Sequence, residues 1–177
     1  ETRYMKETLD KLAEELGRRL LARRALLATA ESCTGGWIAK VVTDVAGSST
    51  WFDRGFVTYS NEAKQDMLGV SGDSLAAHGA VSAPVVAAMA LGALSHSRAQ
   101  AVVAVSGIAG PGGGTEDKPV GTVFFAWALS GREPEVKRFR FAGDREEIRH
   151  QTVRLALERL IELLDDGSVR YNFDYYM

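Results

Sequence analysis

The chain has 177 residues, 46% of them apolar, with 21 Lys plus Arg against 23 Asp plus Glu and a formal net charge of −2. That length fits one domain with a full hydrophobic core, and the charge balance excludes the broad basic footprint that general nucleic-acid binding needs. A lone cysteine, Cys33, rules out an intrachain disulfide and fits a reducing, cytoplasmic setting.

The opening stretch, "ETRYMKETLDKLAEELGRR", is heavily charged and has no apolar h-region, so it is not read as a signal peptide. Met5, Leu9, Leu12, Leu16 and Leu20 instead form one apolar stripe at helical spacing. "ALLATA" (25–30) reads as a buried strand that stops at Glu31. The region Gly35–Asp44 reads as a helix, with Trp37 and Val41 four apart, as are Ile38 and Val42. "WFDRGFVTYS" (51–60) reads as a strand, and "NEAKQDML" (61–68) as a short helix with Ser60 at its N-cap. Ser82 then caps a long Ala-rich helix with Pro84 in its first turn.

"AQAVVAVSG" (99–107) and "VGTVFFAWAL" (120–129) are apolar on both faces, as strands are in sheets covered by helices on each side. "EVKRFRFA" (135–142) alternates, with Phe139 and Phe141 on one side and Arg138 and Arg140 on the other. Its short connection to the preceding run predicts an antiparallel hairpin. A last helix starts near Asp144 and turns Val153, Leu157, Leu160 and Leu164 inward. The predicted fold is a three-layer α/β/α sandwich around a mixed, mostly parallel sheet. It forms one domain over 1–177 with its core at about 9–164. The apolar runs are too short to span a bilayer, so no membrane partner is expected. The aromatic tail after Asp166, "GSVRYNFDYYM", is the one hint of a homo-oligomer.

In open α/β sheets, ligands lie beyond the carboxyl ends of the strands. The loops "ESCTGG", "TYSNEAK" and "SGIAGPGGGTEDKP" leave such ends, and they share one pocket if their strands are parallel. They carry Ser32, Tyr59, Lys64 and Ser106. Two glycines at a helix start leave bare N–H groups suited to an anion or an oxyanion, with Ser32 as the nucleophile ahead of them. The plainer alternative is that Ser32 or Thr34 is only an N-cap. Lys64 falls in the first turn of its helix, where the macrodipole disfavours a cation. The lowered pKa that follows suits a general base, although a solvated lysine fits the sequence too. Tyr59 relays a proton or orients Ser32, or is a half-buried strand residue. Cys33 is a rival nucleophile or a small buried hydrophobe. His78, His96 and His150 show no metal-like spacing, and no H-E-x-x-H or C-x-x-C occurs, so neither metal nor cofactor is expected. The Gly-rich loop lacks the G-K-[ST] ending of a P-loop, and no S-x-x-K is present.

Taken together, "TAESCTGGWIAKVVTDVAGSSTWFDRGFVTYSNEAK", "HGAVS", "VSGIAGPGGGTEDKPVGTV" and "GDR" resemble the CinA C-terminal domain family, which includes stand-alone nicotinamide mononucleotide (NMN) amidohydrolases. The resemblance runs from about Leu9 to Leu164. It implies an amidase of pyridine nucleotide recycling that converts NMN to nicotinic acid mononucleotide and ammonia. Ser32 would be the nucleophile, Lys64 its base and Tyr59 the third member. Thr34, Gly35 and Gly36 would serve the oxyanion or substrate, and Ser106, Gly107 and Arg145 the substrate. Arg145 stands at the last helix start, where free N–H groups and a guanidinium suit the NMN phosphate; against this stands an ordinary helix capped by Asp144. Larger members carry an N-terminal nucleotide pyrophosphatase domain that nothing in this sequence matches, so that activity is not carried over. Two other classes stay open: a non-catalytic nucleotide-binding or competence-associated interaction module, and an amidase for another carboxamide.

Overall fold

The structure is a computed structural model that describes residues 2–165; the aromatic tail lies outside them. Its strands are β1 (Leu27–Glu31), β2 (Phe52–Val57), β3 (Ala101–Gly107), β4 (Thr122–Leu129) and β5 (Glu135–Arg140). Its helices are α1 (Thr2–Ala22), α2 (Trp37–Thr43), α3 (Asn61–Leu68), α4 (Gly72–His78), α5 (Ala83–Ser95) and α6 (Arg145–Asp165). The sheet order is β2-β1-β3-β4-β5. β1 runs parallel to both β2 and β3, while β3–β4 and β4–β5 are antiparallel. The sheet is mixed, as predicted. Its pairings divide evenly, although only β4 opposes the common strand direction. The reason lies in the connections: helices carry the chain back between β1, β2 and β3, whereas β3–β4 and β4–β5 are joined by loops alone.

Helices cover both faces. Leu16 and Leu20 of α1, Ile38 and Val42 of α2 and Leu157 and Leu160 of α6 pack on Leu27, Val103, Phe125 and Trp127. The opposite face is built from small residues, Ala28, Ala30, Ala104, Ala126 and Ala128, against Val86 and Met89 of α5. Small side chains let α5 lie close, and α5 in turn meets α3 backbone to backbone. A Cβ on Gly92 would stand 2.0 Å from Leu68 O. On the first face Phe125 stacks on Trp127, whose indole N–H donates to Ala156 O at 3.0 Å.

Three local expectations change. Gly35 and Gly36 precede α2 rather than belong to it, and their φ values of 60° and 97° explain the glycines directly, since other residues rarely adopt them. Ser82 stands at the start of α5, but its hydroxyl donates to Gly79 O at 2.7 Å instead of capping the helix. α4 has no counterpart in the sequence reading, because a seven-residue helix that buries only Leu75 displays no period. Ser60 does cap α3, accepting from Ala63 N at 3.0 Å.

Candidate active site

Parallel register aligns Glu31 with Val57 on one side and Val105 on the other. The ladder continues one residue further: Thr58 N–H donates to Glu31 O at 2.9 Å, and Ser32 N–H donates to Val105 O at 3.1 Å. Ser32, Thr58 and Ser106 therefore stand side by side at one sheet edge. A cleft of about 220 Å³ opens there, lined by Ser32, Cys33, Tyr59, Lys64, Ser106, Gly107 and Arg145 among others. Ser106 is buried and donates to Ala80 O at 2.8 Å, which fixes Ala80 and Val81 as part of the cleft wall. Gly107 has no room for a side chain, because a Cβ would lie 2.7 Å from Val123 Cγ2.

Lys64 is only 1% exposed. α3 begins directly after the Thr58–Ser60 loop, so a lysine in its first turn folds back over that loop. Its Nζ lies 3.1 Å from Ser32 Oγ, 2.7 Å from Thr58 O and 3.3 Å from Tyr59 O. Burial pushes its pKa below the usual lysine range, opposed only by negative charge at Cys33. That opposing charge is absent near neutral pH, because burial pushes the Cys33 thiol up to about 12. A neutral amine has two N–H groups and one lone pair. Donation to two of the three carbonyls in reach, Thr58 O, Tyr59 O and Ser60 O, leaves the lone pair of the deprotonated amine for the Ser32 hydroxyl, an arrangement able to accept its proton. The same high thiol pKa makes Cys33 a poor nucleophile.

Tyr59 lies beyond the end of β2 and is 61% exposed. Its hydroxyl accepts from Arg145 Nη2 at 3.2 Å, and no hydrogen bond joins it to Ser32 or Lys64 among the described residues. Only its carbonyl touches Lys64. Arg145 also donates through Nη1 to Gly110 O at 2.8 Å. It stands between the Ser32 cleft and a wider neighbouring one of about 890 Å³, lined by Trp37, Pro111, Val120, Gly143 and Arg149 among others. The start of α6 is closed by a capping box: Asp144 Oδ1 accepts from Glu147 N at 2.9 Å, and Glu147 Oε2 accepts from Asp144 N at 2.7 Å.

The turn after Ser32 also departs from expectation. Glu31, fully buried at the end of β1, accepts from Thr34 Oγ1 at 2.7 Å, Ile38 N at 2.8 Å and Ala39 N at 3.0 Å. The α2 amides expected to face an anion thus already hold a carboxylate of the chain. Thr34 is turned into the protein, and Gly35 N–H donates to Ser32 O at 3.0 Å. Burial raises the Glu31 pKa, and the hydrogen bonds it accepts oppose that shift. The sequence reading passed over Glu31 and also Arg149, which donates to the carbonyls of Cys33 and Thr34. The signals available were a Glu ending an apolar strand and an Arg one helical turn after Arg145.

Among the described residues, no group of three or more His, Cys, Asp or Glu could hold a metal ion. No described helix is long and apolar enough to cross a membrane.

The family model of the CinA C-terminal domain matches residues 9–164. The chain is 59% identical over 152 residues to the nicotinamide-nucleotide amidohydrolase PncC of Escherichia coli K12, covering 86% of this chain and 92% of that one. It is 50% identical over 157 residues to the protein of the same name from Pseudomonas putida, covering 89% and 98%. The solved structure of the competence/damage inducible protein CihA from Agrobacterium tumefaciens matches with a TM-score of 0.86 at 48% identity, over 88% of this chain and 95% of that one. The match in sequence along most of the chain and the match in fold lead to one conclusion: the chain belongs to the CinA C-terminal domain family.

Proposed function

We propose that this chain hydrolyses the pyridine carboxamide of NMN to nicotinic acid mononucleotide and ammonia, with Ser32 as nucleophile and Lys64 as its base. The observation that carries the chemistry is the 3.1 Å contact between the buried Lys64 Nζ and Ser32 Oγ at the cleft. The substrate is taken from relatives at 50% and 59% identity that bear the name nicotinamide-nucleotide amidohydrolase.

Neutral Lys64 takes the hydroxyl proton as Ser32 Oγ attacks the carboxamide carbon, and the carbonyl electron pair moves onto oxygen. Amides of the turn after Ser32 stabilise that oxyanion. Lys64, now an ammonium, returns the proton to the amide nitrogen; the C–N bond breaks, ammonia leaves and a nicotinoyl ester of Ser32 remains. Water attacks the ester, Lys64 takes a proton from it and returns one to Ser32 Oγ, and the carboxylate product departs. The fixed positive charge of the pyridinium makes both carbonyl carbons more electrophilic. Arg145 has donors to spare beyond Gly110 and Tyr59 and takes the phosphate. Tyr59 steadies Arg145 at the rim rather than relaying a proton. A cytoplasmic site of action fits a small phosphorylated substrate of this kind.

The test is incubation with NMN, following ammonia and nicotinic acid mononucleotide together. Equimolar release of both is expected. No ammonia would sink the proposal, and ammonia from other carboxamides but not from NMN would reassign the substrate.

A further inference from the structure

We infer that Arg149 is a positioning residue: by gripping two carbonyls of the turn after Ser32 from behind, it aims the Thr34 amide at the oxygen of the carbonyl under attack. The inference rests on Ser32 being the nucleophile. Arg149 Nε donates to Cys33 O at 3.0 Å, and Nη2 donates to Thr34 O at 3.0 Å. The guanidinium lies over Trp37, 5.3 Å from the ring centroid, and that contact sets its plane. In a trans peptide, a carbonyl and the next N–H point in opposite directions. A fork that holds carbonyls 33 and 34 on one side therefore turns the N–H groups of Thr34 and Gly35 to the other. Successive amides facing one way form a concave anion-binding nest, and the left-handed φ of 60° at Gly35 permits it.

The two amides then divide. Gly35 N–H closes the turn on Ser32 O. Thr34 N–H donates to no group among the described residues, and it belongs to the peptide that Arg149 grips through Cys33 O. Like the amides of Cys33 and Gly36, it is left for an oxyanion formed at Ser32, and of the three it is the one whose own peptide carbonyl Arg149 holds. Glu31 braces the same turn from the strand side through Thr34 Oγ1. Lysine could not replace Arg149, because a point charge does not hold two carbonyls in a fixed plane.

The experiment compares wild type with Arg149→Ala and Arg149→Lys. On NMN, both variants are expected to lose about 10²–10³ in kcat, the scale of one lost oxyanion donor. KM should stay within about threefold, the pattern of an interaction made in the transition state. A second readout needs no NMN: sulfonylation of Ser32 by phenylmethylsulfonyl fluoride, followed by intact mass, with Ser32→Ala as the unlabelled control. It should slow about tenfold or more in both variants. If wild type releases no ammonia from NMN yet sulfonylation slows in the variants, the substrate reading fails and the role of Arg149 stands. A folded Arg149→Lys with wild-type kcat and labelling rate overturns the inference, as does a loss confined to KM. The lysine variant decides the matter where the alanine variant fails to fold.

Discussion

Two helix starts border the site, and each is occupied by a carboxylate of the chain itself, on different terms. At α2, Glu31 arrives from the end of a strand, is fully buried, and binds the Thr34 hydroxyl and the amides of Ile38 and Ala39. At α6, Asp144 sits directly ahead of the helix in solvent and closes a local capping box with Glu147. The first is a tertiary tie between strand, turn and helix; the second is a local cap. Glu31 fills the amides of Ile38 and Ala39, and the α6 box fills those of Asp144 and Glu147, so in the proposed mechanism anion recognition falls to the turn amides at one start and to the Arg145 side chain at the other. On that proposal the α2 start governs turnover and the α6 start governs binding.

The largest separation between the two starts is expected on turnover. Ser32→Ala should cost on the order of 10⁴–10⁶ in kcat while NMN still binds. Calorimetric titration against ammonia release measures both, and near-wild-type turnover would remove Ser32 from the mechanism. Lys64→Arg should fail equally, because arginine stays protonated. In wild type, kcat/KM should fall as pH falls through the Lys64 pKa, which burial holds below the ordinary lysine value. An acid limb that survives in Lys64→Arg would belong to another group.

Next in size is the α2 carboxylate. Glu31→Ala strands buried donors at Thr34 and Ile38, each worth about 1–3 kcal/mol, and a half-buried one at Ala39. Stability and kcat should fall together, as read by denaturant unfolding and initial rates. A loss under about 1 kcal/mol would reduce Glu31 to an ordinary helix cap.

At α6 the effects are smaller and fall on binding. Arg145→Ala should weaken NMN kcat/KM by about 1.5–3 kcal/mol, the scale of a charged hydrogen bond. Nicotinamide riboside, which lacks the phosphate, should be a poor substrate for wild type and lose little further in the variant. Strict additivity of the two losses would mean that Arg145 does not touch the phosphate. Smallest of all, Asp144→Ala should cost about 1 kcal/mol of stability, the value of a cap, with kcat nearly unchanged. A large fall in kcat there would erase the division between the two starts.

Much of the fold could be read from hydrophobic pattern. The stripe through Leu9, Leu16 and Leu20, the doubly buried β3 and β4, the alternating β5 and the inward face of α6 all depend on neighbours within about ten residues, which the sequence displays. α4 escaped because one buried leucine makes no period. At the site, residue type and place after strands or at helix starts point to Ser32, Lys64, Ser106 and Arg145, and the family resemblance adds Gly107; the structure lines one cleft with all of them. Thr34, Gly35 and Gly36 form the turn that follows Ser32, and their side-chain positions are not among those that line the cleft.

Sequence alone determined most of the helices and all five strands, which faces are apolar, and that a serine, a lysine and glycines follow strand ends. Those are properties of short windows, set by periodicity and local backbone preference. Tertiary structure alone decided what each polar group meets. The parallel register set Ser32 beside Thr58 and Ser106. Burial at the sheet edge depresses the Lys64 pKa. Tyr59 turned its hydroxyl to Arg145, 86 residues away, and Arg149 reached carbonyls 115 and 116 residues away. Partners so distant along the chain carry no local pattern, because a hydrogen bond depends on a separation of about 3 Å in space and is indifferent to the length of chain between its ends.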